Sequence, residues 1–352
     1  MSISANDKLK IALVGGGAAT FSPKGVTWFD GAGHWGVQHA RILSERADVD
    51  FCAIVGRHAE KTKARAVQFH VQAYLDVQEM LERAQPDLVC VCLPNQDHYD
   101  VTLQLIQAGV PLFVEKPLVF DLAQAKRLIS EAAARNLFFG INFNHRYARP
   151  VALAHDAIQQ GKLGQLVFAT WRFGGEGASD HPHANLFETQ CHGFDMLEHL
   201  CGPVASVMAE MTDVTGNGFN TMALSLKFEN GAIGSMVGSY DSSYAYHDTH
   251  RVEVNGTDGR VVIVDTVKEY AYQRAGSEIA EIWQAGYFND VDREFHKTFD
   301  RHMDEVICAL REGRQPPIHA KAGYRAVLLA SAAARSFELG RRVHVAEIVD
   351  GK

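Results

Sequence analysis

Pro111 to Leu118 (PLFVEKPL) is an apolar, β-rich run that delivers a carboxylate, an ammonium and a proline in succession at its end. In an open α/β sheet, ligands bind beyond the carboxyl ends of the strands, so reacting groups belong there. Lys116, beside Glu115 and followed by Pro117, is a candidate proton donor and acceptor. The competing reading is a solvated Glu–Lys pair at a strand end.

Two glycine clusters offer phosphate-binding backbone. Gly15-Gly16-Gly17 directly follows the best first strand, and Gly31-Ala32-Gly33-His34-Trp35-Gly36 is a full G-x-G-x-x-G that opens a helix. A dinucleotide fold needs a tight turn off the strand and a helix N-terminus aimed at the pyrophosphate. One motif normally supplies both, but Pro23, Gly25 and Gly31 forbid a single helix from Ala18 to Arg46. The expectation is a strand ending at Gly15, an insertion over Ala18 to Asp30, and a helix starting near Trp35. The alternative makes Val26 to Phe29 the first strand. The insertion either covers the cofactor or is a surface excursion. Gly15, Gly17, His34, Trp35 and Gly36 are the expected pyrophosphate contacts.

Cofactor choice follows from the end of the second strand. An acid there binds the ribose hydroxyls of NAD, whereas an arginine accommodates the extra phosphate of NADP. The position holds Gly56, Arg57 and His58, with no acid, so NADP is favoured over NAD. The other reading has Arg57 stacking on adenine, with both cofactors bound.

The elements that must position these groups alternate regularly. Strands are predicted at Lys10–Gly15, Val49–Val55, Gln72–Leu75, Asp87–Leu93, Pro111–Glu115 and Phe138–Ile141. Helices are predicted at Gly36–Arg46, Ala59–His70, Val77–Arg83, His98–Gln107 and Leu122–Arg135, two of them with Asp76 and Asp121 as caps. Repeated β-α-β units imply a parallel sheet with helices on both faces. After a helix at Val151–Gln160 come strand-like runs at 166–173, 204–212, 222–228, 232–240, 251–255 and 260–264, joined by turn pairs as in an antiparallel meander. Helices return at Phe295–Arg311 and Gly323–Leu339. The fold class is therefore α/β, with a dinucleotide-binding domain over residues 1–145 and an α+β domain with an open, mainly antiparallel sheet over 146–352.

The chain has 352 residues and a net charge of −8, with no basic block, which argues against nucleic acid or an anionic membrane as partner. The polar start, Met1 to Lys10, and the short apolar stretch Ala326 to Ala334 point to a cytoplasmic protein with no membrane span. None of the six cysteines forms a C-x-x-C, and Cys90 and Cys92 read as small core residues. Cys191, His192, His199 and Cys201 match no usual zinc spacing, so no metal is expected.

With these pieces in place, the chain resembles the Gfo/Idh/MocA family of sugar and cyclitol dehydrogenases. The marks are Gly31 to Ala40 (GAGHWGVQHA), Leu93-Pro94-Asn95 with His98, Glu115-Lys116-Pro117-Leu118, Phe143 to Tyr147 (FNHRY), and Glu188 to His192 with Asp195. The resemblance implies a Rossmann domain, an open-sheet domain that pairs as a homodimer or homotetramer, and a sugar-like substrate. It implies a catalytic lysine meeting a histidine of a D-x-x-x-H-x-x-D stretch, here Lys116, His192 and Asp195, with Glu188 standing where aspartate is usual. It places Leu93, Pro94, Asn95 and His98 at the nicotinamide end. Glu115 and Arg146 support the lysine and cofactor, and Asn144, Tyr147 and Trp171 face the substrate.

Glu188 and His192, at i and i+4, would share one helical face. The imidazole could then take a hydroxyl proton as hydride leaves the carbon, help worth typically ~10²–10⁴ in rate. The implied reaction interconverts a secondary alcohol and a ketone on a sugar, sugar derivative or cyclitol. The same scaffold also serves glycosidases that retain NAD, oxidise the sugar transiently and eliminate the aglycone.

Overall fold

The structure, a computed structural model, describes residues 7–15, 35–177 and 181–349. They divide into two units: residues up to Asn142 with Phe299–Tyr324, and Phe143–Thr298 with the residues from Arg325 on. Sequence alone suggests one cut after residue 145; the first unit also takes in residues 299–324.

The first unit alternates β1 (Leu9–Val14), α1 (Trp35–Glu45), β2 (Val49–Val55), α2 (Ala59–Phe69), β3 (Gln72–Tyr74), α3 (Val77–Ala84), β4 (Leu88–Val91), α4 (Asn95–Gln107), β5 (Leu112–Val114), α5 (Leu122–Ala134) and β6 (Phe139–Ile141). The strands form one parallel sheet in the order β3-β2-β1-β4-β5-β6. Near-continuous apolar runs such as LKIALV and LVCV suit strands covered on both faces. With Leu9–Val14 at the centre of this sheet, the first strand is the expected one. The proposed insertion, and the alternative strand at 26–29, lie outside the described residues. The strand order reverses between β1 and β4, which opens a crevice at their carboxyl ends.

Both expected caps form. Asp76 accepts the Glu79 N–H at 2.8 Å and Asp121 the Gln124 N–H at 2.7 Å, contacts worth about 1 kcal/mol each. Helix α4 starts at Asn95, three residues before the expected His98, because Pro94 ends the loop and its carbonyl accepts the Asp97 N–H at 2.9 Å.

The second unit opens with a 3₁₀ turn at Asn144–Tyr147, then α6 (Arg149–Gln159), β7 (Leu166–Gly174), α7 (Ala184–Glu188), α8 (Cys191–Cys201), β8 (Val204–Thr212), β9 (Thr221–Phe228), β10 (Ile233–Ser239), β11 (His250–Gly256), β12 (Gly259–Val264), β13 (Glu269–Arg274), β14 (Ala280–Gln284) and α9 (Asp290–Arg293). Helices α10 (Lys297–Arg311) and α11 (Lys321–Leu339), strand β15 (Val343–His344) and α12 (Val345–Val349) complete the described residues. The nine strands run β14-β13-β12-β11-β7-β10-β9-β8-β15. Every pairing is antiparallel except β7 with β10, since β7 sits between β10 and β11 and interrupts a simple meander. Strict alternation puts Met222, Leu224, Leu226, Phe228 and Met236 inside, at about 1.5–3 kcal/mol per buried large side chain. Gly193 lets α8 close on β7, because a Cβ there would lie 2.6 Å from the Trp171 Nε1. Among the described residues no helix is long and apolar enough to cross a membrane.

Candidate active site

At the crevice of the first unit, Gly15 ends β1 with φ +99, and its N–H bonds the Val55 carbonyl at 2.9 Å. A Cβ there would fall 2.0 Å from the Cys92 carbonyl oxygen, so only glycine permits this turn beside β4. Trp35 and Gly36 open α1, and Trp35 stacks on Phe299 at 5.0 Å. Gly17 and His34 lie outside the described residues. Across the crevice, the Leu93 N–H donates to the His98 Nε2 at 3.3 Å. Burial pushes the His98 pKa down to about 4, so the neutral ring can accept that bond and brace the Leu93-Pro94-Asn95 turn. Arg57 is 61% exposed at the end of β2 and pairs with Asp97 at 3.0 Å.

Lys116 follows β5 directly, and its neighbour Glu115 is buried. One Glu115 oxygen, Oε1, takes the His39 Nε2 and the Asn142 Nδ2, each at 2.6 Å. The other, Oε2, takes the Lys116 backbone N–H at 3.2 Å. Burial alone would raise the Glu115 pKa, but His39, Lys116 and Asn142 outweigh it and hold it below the usual value. The solvated Glu–Lys pair is therefore excluded for Glu115.

In the second unit, Arg146 forks onto Asp195, with Nε at 2.9 Å and Nη2 at 2.5 Å, tying the 3₁₀ turn to α8. The Asn144 Nδ2 is committed to the Thr298 Oγ1 at 2.7 Å, and Tyr147 ends the same turn. Trp171 is 1% exposed and donates its indole N–H to the Gln190 Oε1 at 2.8 Å, which makes it a core residue of β7. His192 is buried on α8, edge-on to Phe143 and stacked on His145 with centroids 4.0 Å apart. Glu188 accepts a hydrogen bond from the Tyr240 hydroxyl at 3.1 Å.

The expectation that Glu188 and His192 share one helical face is corrected. Helix α7 ends at Glu188 and α8 starts at Cys191. The Asn185 carbonyl takes both the Thr189 and the Gln190 N–H, at 3.0 and 2.9 Å, which breaks the helical ladder. The break lets the Gln190 side chain turn inward to Trp171, the Phe173 carbonyl and Asn185. Among the described residues no three His, Cys, Asp or Glu side chains are grouped to hold a metal ion. His39, Asn142, His145 and Tyr240 carry much of this geometry without having been singled out; His39 and His145 stand inside the GAGHWGVQHA and FNHRY motifs, and only partners distant in sequence reveal them.

A family model described as an oxidoreductase family, NAD-binding Rossmann fold, matches residues 29–143. Its companion, an oxidoreductase family C-terminal alpha/beta domain, matches 155–345. The first match opens beyond β1, which the fold nevertheless supplies as the central strand. Among similar proteins, myo-inositol 2-dehydrogenase of Thermotoga maritima is 25% identical over 91% of this chain and 98% of its own length. A scyllo-inositol 2-dehydrogenase (NAD(+)) of Bacillus subtilis is 24% identical, over 81% and 86%. Levoglucosan dehydrogenase, solved with NADH and levoglucosan, shares the fold with a TM-score of 0.83 and 18% identity, covering 96% of this chain and 100% of the other.

Proposed function

We propose that this chain, which belongs to the Gfo/Idh/MocA oxidoreductase family, interconverts a secondary alcohol and a ketone on a sugar, sugar derivative or cyclitol. The observation that carries the reading is Lys116 at the carboxyl end of β5, anchored by a buried carboxylate. The inositol dehydrogenases among its relatives support the substrate class.

The residues present fit a dinucleotide. The side-chain-free turn at Gly15 leaves backbone bare at the crevice, and the first turn of α1 follows with Trp35 and Gly36. Gly17 and His34 complete the pyrophosphate set, while Leu93, Pro94 and Asn95, braced by His98, form the nicotinamide end. When bound, the dinucleotide supplies the hydride acceptor or donor. Lys116 and His192 handle the proton: the substrate hydroxyl loses it to one of these nitrogens on oxidation and regains it on reduction. Glu188, fixed by Tyr240, positions the substrate. Asp195 and Arg146 fix the turn that carries Asn144 and Tyr147, the remaining substrate residues.

Arg57 carries the cofactor preference. Its exposed guanidinium, held by a surface pair to Asp97, is available to a 2′-phosphate, so NADP binds at least as well as NAD. The assembly is a homodimer or homotetramer built on the open face of the second sheet. There Phe168, Ile233 and Val237 are 38%, 58% and 43% exposed on adjoining strands, with Ile233 directly opposite Phe168. A cytoplasmic location fits six free cysteines.

The test is absorbance at the reduced-nicotinamide band when NADP or NAD is mixed with a panel of cyclitols and sugars. Growth with a polyol supports the reading. Cleavage of an aryl glycoside with no change in that band replaces it with the NAD-retaining glycosidase.

A further inference from the structure

The bonds around Glu115 have fixed directions. An ionised carboxylate only accepts, so the proton shared with His39 sits on Nε2, and Asn142 must turn its amide nitrogen toward Glu115. That leaves the Asn142 Oδ1 to accept from the His302 Nδ1 at 2.9 Å. Donors from α1, from the end of β6 and, through Asn142, from α10 thus converge on one buried carboxylate whose second oxygen holds the Lys116 main chain. His39 is locked by edge contacts to Phe113 and Phe299, and His302 by one to Phe113.

We propose that His39 and Asn142 are positioning residues for Lys116, acting by fixing the Glu115 carboxylate that receives the Lys116 backbone N–H. The inference rests on the reading of Lys116 as the proton-handling group. A buried carboxylate stripped of a donor takes up a proton instead of staying charged. Neutral Glu115 would then hold the Lys116 backbone N–H less strongly and remove a fixed negative charge beside its ammonium.

The other titratable groups facing Glu115 do not replace His39. On β4 and just past its end, burial pushes the thiols of Cys90 and Cys92 up, and Glu115 pushes them further, so both stay neutral. His98 on α4 is neutral for the reason given above. His302 is hydrogen-bonded to Asn142, which in turn bonds Glu115. Lys116 itself also lowers the Glu115 pKa.

Two variants separate positioning from packing. His39→Leu removes the donor, and His39→Gln retains a side-chain N–H. Infrared difference spectra of each variant with and without Glu115→Gln isolate the Glu115 band. The expected result at pH 7 is a protonated acid in His39→Leu and an ionised carboxylate in His39→Gln. Turnover in His39→Leu should fall by up to about 100-fold, with dinucleotide affinity kept, and recover as pH rises and Glu115 ionises again. His39→Gln should restore most of it, and Glu115→Gln should add little to His39→Leu. An ionised band in His39→Leu overturns the proposal. So does a pH-independent loss that His39→Gln fails to rescue. Retained turnover in Lys116→Ala would instead defeat the reading of Lys116, and with it the positioning role, while the infrared result would still report the charge on Glu115.

Discussion

The imidazoles of His145 and His192 lie face to face, with centroids 4.0 Å apart and planes 10° apart. His145 belongs to the 3₁₀ turn and His192 to α8; Phe173, His250 and Phe295 meet His145 in edge contacts, and Trp171 lies tilted beside it. The ring proposed to move a proton is therefore oriented by a second ring that is itself boxed in by aromatic side chains.

His145→Phe keeps the ring stack while losing the ring nitrogens, and should cost less stability than His145→Ala. His145→Ala empties the box and should cost about 3–5 kcal/mol, with turnover lost by a larger factor than in His145→Phe. Urea unfolding and steady-state kinetics check the pair. Equal turnover in the two variants would show that the stack does not orient His192.

Gly15→Ala should abolish dinucleotide binding and destabilise the fold by about 3 kcal/mol or more. The φ of +99 disfavours any side chain, and the Cβ would lie 2.0 Å from the Cys92 carbonyl oxygen. Equilibrium titration with the reduced dinucleotide, followed by fluorescence, reads the first effect and thermal unfolding the second. Near wild-type values for both would refute this account of the crevice.

Two buried histidines accept backbone N–H groups: His98 from Leu93, and His250 from Thr266 at 3.1 Å. Protonation would set donor against donor. Burial pushes their pKa values down from 6.5 to about 4 and about 3. Below pH 6.5 the unfolded chain binds protons that the folded rings refuse, so stability is full above that pH and falls as pH drops toward 4. His98 alone contributes a loss of about 3 kcal/mol across the window. Urea midpoints between pH 7 and 4 measure it, and a double His98→Gln, His250→Gln variant should show a shallower fall. An equal slope in that variant would assign the acid sensitivity to other groups.

Local signals carried much of this structure. The runs KIALVG and DLVCVCL, and the caps at Asp76 and Asp121, speak through near neighbours, and they mark the elements to within three residues. Strands β13 and β14 escaped because charged and amide residues break up EYAYQR and AEIWQ and little of either is buried: β13 buries Tyr270, and β14 is largely exposed. The break between Glu188 and His192 was hidden for another reason. It depends on Gln190 reaching Trp171, nineteen positions away in sequence. The same holds for Glu115, whose partners His39 and Asn142 are 76 and 27 residues distant. Spacing reveals what a helix or strand repeats; it is silent on which polar group a buried side chain will find.

The proton-handling role of Lys116 is tested most directly by Lys116→Ala, assayed for both dinucleotide binding and polyol-dependent reduction of the dinucleotide. The account predicts a dissociation constant close to wild type and turnover reduced by roughly 10²–10⁴ or more. Turnover within a few-fold of wild type, in a variant that still binds the dinucleotide, would contradict it.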